Sequence, residues 1–187
     1  VLSNTIFEGA VEQIIDVAAR FTAVLEKAEI PVRVVGGLAT YLHVDQVDPP
    51  SARLTRDVDV AIDRDRLEAI RALIEPHGFL YRHAAGVDMF LVAENPNARS
   101  GVHLVFVGEK VRPEYLEPVP GSTPVRAKRG ILIAPVVDLV RMKLTSFRLK
   151  DKVHIQDLDG VGLITAEIEK SLSEPLRQRL AEVRATE

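Results

Sequence analysis

Between Asp57 and Ile62 the chain reads Asp-Val-Asp-Val-Ala-Ile, acidic or small residues alternating with branched apolar ones. A period of two predicts a half-buried strand, with Asp57, Asp59 and Ala61 on one face and Val58, Val60 and Ile62 on the other. Any solvent-exposed antiparallel strand can carry such a pattern. Two aspartates are nevertheless poor choices for a merely exposed strand, because Asp has low β-propensity and like charges repel. With their backbones about 7 Å apart, the two carboxylates can converge on one or two divalent cations. Mg²⁺ takes one or two carboxylates together with substrate phosphate oxygens, which is what such a pair offers.

The surrounding pattern predicts an α/β domain (α+β in the wider sense). Val11, Ile14, Ile15, Ala18, Phe21, Val24 and Leu25 recur at helical spacing and predict an amphipathic helix over roughly 7–28. Val32 to Val35 reads as a short buried strand, Leu38 to His43 as the start of a helix, and the proline-bearing stretch 45–52 as a loop. A helix around Leu67 to Ile74 precedes strand candidates at 79–82, 89–93 and 102–107. A proline-rich surface loop over 108–124 follows, and then a short strand at 131–133. Pro135 opens a helix to about Leu149. Asp151 is read as the N-cap of the next helix, and Leu176 and Leu180 mark a last one. The expected division is a core over 1–134 with a helical part over 135–187 packed on it.

With 187 residues the chain can bury a core without staples. It has no cysteine, which excludes disulfides and thiolate metal sites and fits a cytoplasmic protein. No apolar run is long enough for a membrane span, and Val1 to Ala10 lacks the pattern of a signal peptide. The net charge of −3 argues against a broadly basic nucleic-acid coat. The local cluster Arg126, Lys128 and Arg129 either tracks a phosphate backbone or is a solvated hairpin.

Upstream of the acidic strand, Val34-Val35-Gly36-Gly37-Leu38-Ala39 reads as strand, glycine turn and helix start. Glycine lets a backbone approach a phosphate, and a helix N-terminus offers N–H donors to the anion. Gly36-Gly37 followed by Arg53, Thr55, Asp57 and Asp59 resembles the polymerase-beta nucleotidyltransferase superfamily. Within it the pattern looks closest to the abortive-infection toxin (AbiEii-like) nucleotidyltransferases. The likeness continues in Leu139 to Leu144 and in Arg148 to Leu158, where relatives show Arg-x-Lys-Asp-x-x-Asp-Leu. It implies a mixed sheet flanked by helices and a metal-dependent transfer of a nucleoside monophosphate from an NTP to a hydroxyl of RNA, a protein or a small molecule. Gly36 and Gly37, with Arg53 and Thr55, would hold the nucleotide. Asp57 and Asp59 would hold Mg²⁺ or Mn²⁺ and, with Lys143, act in catalysis. An antitoxin-like partner is also implied.

The pattern departs from the superfamily in one place. The neighbouring strand that commonly brings a third carboxylate presents His103; either Asp88 substitutes from an adjoining strand or the site works with two carboxylates. An alternative is therefore a catalytically weakened module that binds nucleotide or a partner protein without turnover. Arg148 and Asp157 are expected to pair between helices, and His43, His77, His83 and His154 are given no role.

Overall fold

The helical spacing of Val11, Ile15, Ala18, Phe21 and Leu25 produces α1 (Leu2–Lys27), and all five side chains are buried along one stripe. A computed structural model describes residues 2–53, 55–97 and 101–186 of the chain; Leu54, inside the Arg53–Asp59 motif, lies outside them. After α1 come β1 (Val32–Val35), α2 (Gly36–Val47), β2 (Val58–Ile62), α3 (Leu67–Ile74), β3 (Phe79–Ala84), β4 (Val87–Val92) and β5 (Val102–Phe106). The proline-rich loop then leads to β6 (Val125–Arg126), β7 (Leu132–Ile133), α4 (Val136–Ser146), α5 (Leu149–Gly160), α6 (Ala166–Ser171) and α7 (Glu174–Arg184).

The strands form one mixed seven-stranded sheet in the order β3-β4-β5-β2-β1-β7-β6. The central pair β1 and β2 is antiparallel, while β2 runs parallel to β5 and β1 parallel to β7. Ala85 and Gly86, both at positive φ, turn β3 into β4 as a two-residue hairpin. Phe90 of β4 and Phe79 of β3 each place a ring centroid 5.4 Å from that of Phe21, so α1 packs on their face of the sheet.

The buried apolar side chains fall into two clusters. One joins the sheet to α1, α2 and α3; the other joins Val44 of α2 to α4, α5 and α7. Thus α2 belongs to both, and its N-terminus lies where they meet the end of β1. Among the described residues no helix is long and apolar enough to cross a membrane.

Several boundaries differ from the sequence reading. The first helix begins earlier than residue 7, and β2 starts at Val58, leaving Asp57 just ahead of the strand. α4 ends at Ser146, not near Leu149, because Phe147 adopts a left-handed φ of 52°. Arg148, not Asp151, is the N-cap of α5; Asp151 is the third helical residue, and its carboxylate accepts from the Arg148 backbone N–H in a capping box.

Candidate active site

Chain direction reverses where β1 ends, and α2 begins at once with Gly36. Val35 is the N-cap residue, and its side chain has no acceptor, so the first turn of α2 has no side-chain cap. Gly36 sits at φ 69°, a left-handed conformation that glycine adopts without penalty. A Cβ at Gly36 would collide with Asp59 Oδ2. A Cβ at Gly37 would stand 2.7 Å from Thr55 Oγ1 and 3.5 Å from His154 Cε1. The two glycines therefore let the start of α2 lie directly against Asp59 on one side and against Thr55 and His154 on the other. N–H groups at a helix start without a side-chain cap, on residues that carry no side chain of their own, form a ready anion cradle.

Asp59 is in register with Val35 of β1 and His103 of β5, so all three project from one face of the sheet. The His103 Nδ1 lies 3.7 Å from Asp59 Oδ1, and the two side chains are 25% and 33% exposed. The expectation that β5 brings His103 beside Asp59 is met. The expectation that Asp88 stands in for a third carboxylate fails. Met89 pairs with His103, so the adjacent Asp88 points to the opposite face, where Tyr81 and His83 hydrogen-bond to it at 2.5 and 2.7 Å.

A second layer of charge lies behind the cradle. Asp151 is fully buried and accepts from Lys143 Nζ at 3.2 Å, Ser146 Oγ at 2.7 Å, and Arg148 Nε at 2.7 Å. Burial pushes its carboxyl up, but these partners outweigh burial and hold it at about 2. Lys143 is 5% exposed, so it is not a solvated helix charge. Burial lowers its ammonium below the usual lysine range, against the opposing pull of Asp151 and, more weakly, Asp59. Asp151 raises the Arg148 guanidinium, with Tyr115 and Asp59 acting in the same sense. Lys143 and Arg148 thus both lie within electrostatic reach of Asp59.

Arg53 pairs with α5. Its Nε donates to Asp157 Oδ1 at 2.7 Å, which ties the segment before Thr55 to α5. The expected Arg148–Asp157 pair is therefore absent: Arg148 is taken by Asp151 and Asp157 by Arg53. The basic cluster is no open phosphate track either. Arg126 pairs with Glu26, Lys128 with Asp45, and Arg129 with Glu12 and Asp16.

Three residues that the sequence reading passed over gain significance. His154 edges the cradle; burial, then Lys143, depresses its imidazole to about 4, and its Nδ1 is buried without a partner. Its position three residues after Asp151 on α5 is the one signal that points to it. Arg33 lies on the same sheet face as Asp59, 5% exposed, with Nε and Nη1 buried and unpartnered. Tyr115 in the loop over 108–124 acts electrostatically on Arg148. No pattern in the sequence marks these last two. Of the remaining histidines, His43 is held by the Ala134 carbonyl at 2.8 Å.

Among the described residues no group of three or more His, Asp or Glu side chains is gathered to hold a metal. Mg²⁺ takes one or two carboxylates and completes its shell with water and phosphate oxygens; Asp59 lies against the cradle, and Asp57 precedes it by two residues. The glycine contact with Asp59 brings carboxylate and cradle together, so the residues fit a metal that arrives with a nucleotide.

No protein-family model matches the chain, and no curated protein matches it. Solved structures do. An antigenic nucleotidyltransferase-like protein from Paracoccidioides brasiliensis superposes with a TM-score of 0.60 at 18% identity, over 95% of this chain and 89% of the other. The solution structure of the antibiotic-resistance factor ANT(2'')-Ia gives 0.56 at 13% identity, over 95% and 94% of the two chains. Its crystal structure in complex with adenylyl-2''-tobramycin gives 0.51 at 12%, over 89% and 94%. These likenesses extend over nearly the whole length of both partners, and the chain has the nucleotidyltransferase fold.

Proposed function

We infer that the chain transfers a nucleoside monophosphate from an NTP to a hydroxyl acceptor. The observation that carries this reading is the contact between the uncapped glycine start of α2 and Asp59, on a nucleotidyltransferase fold. The N–H groups of the first turn of α2 hold phosphate oxygens. Asp57 and Asp59 are the ligands for Mg²⁺ or Mn²⁺, and a cation bound there supplies positive charge against the phosphate and the departing pyrophosphate. Thr55 closes the side of the cradle, and Lys143 and Arg148, oriented by Asp151, add fixed positive charge behind Asp59. The acceptor oxygen bonds to the α-phosphorus, the bond to the β-phosphate oxygen breaks, and pyrophosphate leaves. His103 is placed to take the acceptor proton, a role open to a neutral imidazole.

The acceptor is a hydroxyl of RNA, a protein or a small molecule. The exposed Arg148 and Lys150, both acting electrostatically on His154 at the edge of the cradle, favour an anionic acceptor such as an RNA end. In this reading the sheet core (1–134) carries the metal and cradle, and the helical part (135–187) carries Lys143 and its partners. The motif resemblance to abortive-infection toxins, carried by Gly36-Gly37 and Arg53 to Asp59, supports a cytoplasmic toxin with a cognate antitoxin-like protein as the proposed biological setting. Labelled NTPs with Mg²⁺ or Mn²⁺, screened against total RNA and total protein, test the reading. Label should enter one acceptor class and be lost in Asp59→Asn.

His103, in place of a third carboxylate, favours a second reading in which the fold binds nucleotide without turnover. His103→Ala separates the two. An enzyme that uses His103 as base loses turnover by about 10²–10⁴-fold; a binding module shows none to lose in either form.

A further inference from the structure

Beside the cradle, a cavity of about 420 Å³ opens between residues 48–53 and the C-terminal half of α5, lined by Ser51, Ala52, Arg53, Gln156, Asp157 and Val161 among others. Its volume is in the range of small-molecule sites. Asp157 and His154 lie three residues apart on α5 and so share a face, and His154 borders Gly37. The cavity therefore begins one helical turn from the phosphate cradle.

Asp157 is the unusual group in this cavity. Its side chain is 8% exposed, and Oδ1 accepts from Arg53, but Oδ2 is buried with no partner. A buried carboxylate oxygen without a donor is destabilising and is uncommon in folded proteins. Arg53 is the mirror case: its side chain is 65% exposed, and among the described residues only Nε is engaged. The cavity thus offers a carboxylate that wants a second donor beside a guanidinium that wants acceptors. The terminal torsion of an aspartate is broad, so the carboxylate can turn in place to present either oxygen.

We propose that this cavity is the nucleobase subsite of the NTP and that it selects guanine. This rests on the nucleotidyl-transfer reading above. Guanine presents N1–H and the N2 amino group side by side, two donors that one carboxylate accepts together. Its O6 and N7 are acceptors suited to an arginine. Adenine and cytosine set a ring-nitrogen acceptor beside their amino group, which faces the carboxylate unfavourably. Uracil offers a single N–H between two carbonyls. Ala52 and Val161 supply apolar wall for the ring.

The test is a binding titration of GTP, ATP, CTP, UTP and XTP with Mg²⁺ against the wild type, Asp157→Asn and Arg53→Ala. Thermal melts confirm that each variant is folded. Wild type should bind GTP at least tenfold tighter than the other natural NTPs. Xanthine carries a carbonyl where guanine carries the amino group, so Asp157→Asn should shift the XTP-to-GTP affinity ratio toward XTP by tenfold or more. A residue that only braces α5 would leave that ratio unmoved. Arg53→Ala, at an exposed position, should reduce the GTP preference without loss of fold. If wild type binds NTPs without preferring GTP, or if the ratio is unchanged in Asp157→Asn, the subsite assignment is wrong while nucleotidyl transfer stands. If wild type binds no NTP at all, both are wrong.

Discussion

Two carboxylates lie within electrostatic reach of Lys143, and the fold treats them in opposite ways. Asp151 has no exposed surface, and donors from Lys143, Ser146 and Arg148 fill both its oxygens. Asp59 is 33% exposed, is backed by a glycine that leaves room for nothing else, and has His103 3.7 Å away. A carboxylate whose lone pairs are filled by the protein orients other groups. One that the protein leaves accessible beside an anion cradle has capacity for a cation. Under the proposed function, the difference gives Asp151 a positioning role and Asp59 a metal-ligating one.

The comparison is broken most forcefully at Asp151. Asp151→Ala strands the buried Lys143 ammonium and should lower stability by about 3–5 kcal/mol, the usual effect of removing one partner of a buried pair. Denaturant melts of Asp151→Ala and Asp59→Asn side by side check this, and the second should show little or no loss. Equal losses in the two would erase the distinction.

The cradle side is sharpened by Gly37→Val. Its side chain would push into Thr55 and the edge of His154, so nucleotide affinity should fall tenfold or more while the melt remains cooperative. Unchanged nucleotide binding would make the turn purely architectural.

A smaller effect separates the two sides by pH. His154 is held near 4, below the ordinary histidine value of 6.5. The unfolded chain therefore takes up a proton at this position before the folded one does, and stability falls as pH drops from 6.5 to 4. Asp151, held near 2 against 3.8, contributes stability above 3.8 that is lost as pH falls through 2. Melts of His154→Gln should be flatter than wild type between pH 4 and 6.5 and parallel to it below. A slope in the upper window that survives the substitution belongs to some other group.

The sequence displays what is periodic and hides what is assembled. Strand β2 and the helix α1 are legible because their apolar residues recur with a fixed period, and the Gly36-Gly37 turn because two glycines mark a conformation. The placement of His103 beside Asp59 is legible only through the resemblance, which implies a neighbouring strand carrying a third carboxylate; the strand pattern of β5 does not by itself show its partner. The partners of Asp151 are not legible. Three different side chains meet there through a left-handed Phe147 and a capping box, and no spacing rule announces that. Arg126, Lys128 and Arg129 read as a basic cluster because their acidic partners, Glu26, Asp45, Glu12 and Asp16, come from helices distant in sequence. Asp88 misled for a simpler reason. A shift of one residue along a strand moves a side chain to the other face, and only the register of β4 against β5 shows which face it takes.

The central claim is that Asp57 and Asp59 join a divalent cation to a nucleotide at the start of α2. Calorimetric titration of NTP into the wild type and into the double variant Asp57→Asn, Asp59→Asn, each with Mg²⁺ and with EDTA, tests it most directly. The account predicts binding by the wild type that Mg²⁺ strengthens at least tenfold, and a double variant that gains nothing from Mg²⁺ while melting at or above the wild-type temperature. Undiminished Mg²⁺-dependent binding in the folded double variant would contradict it.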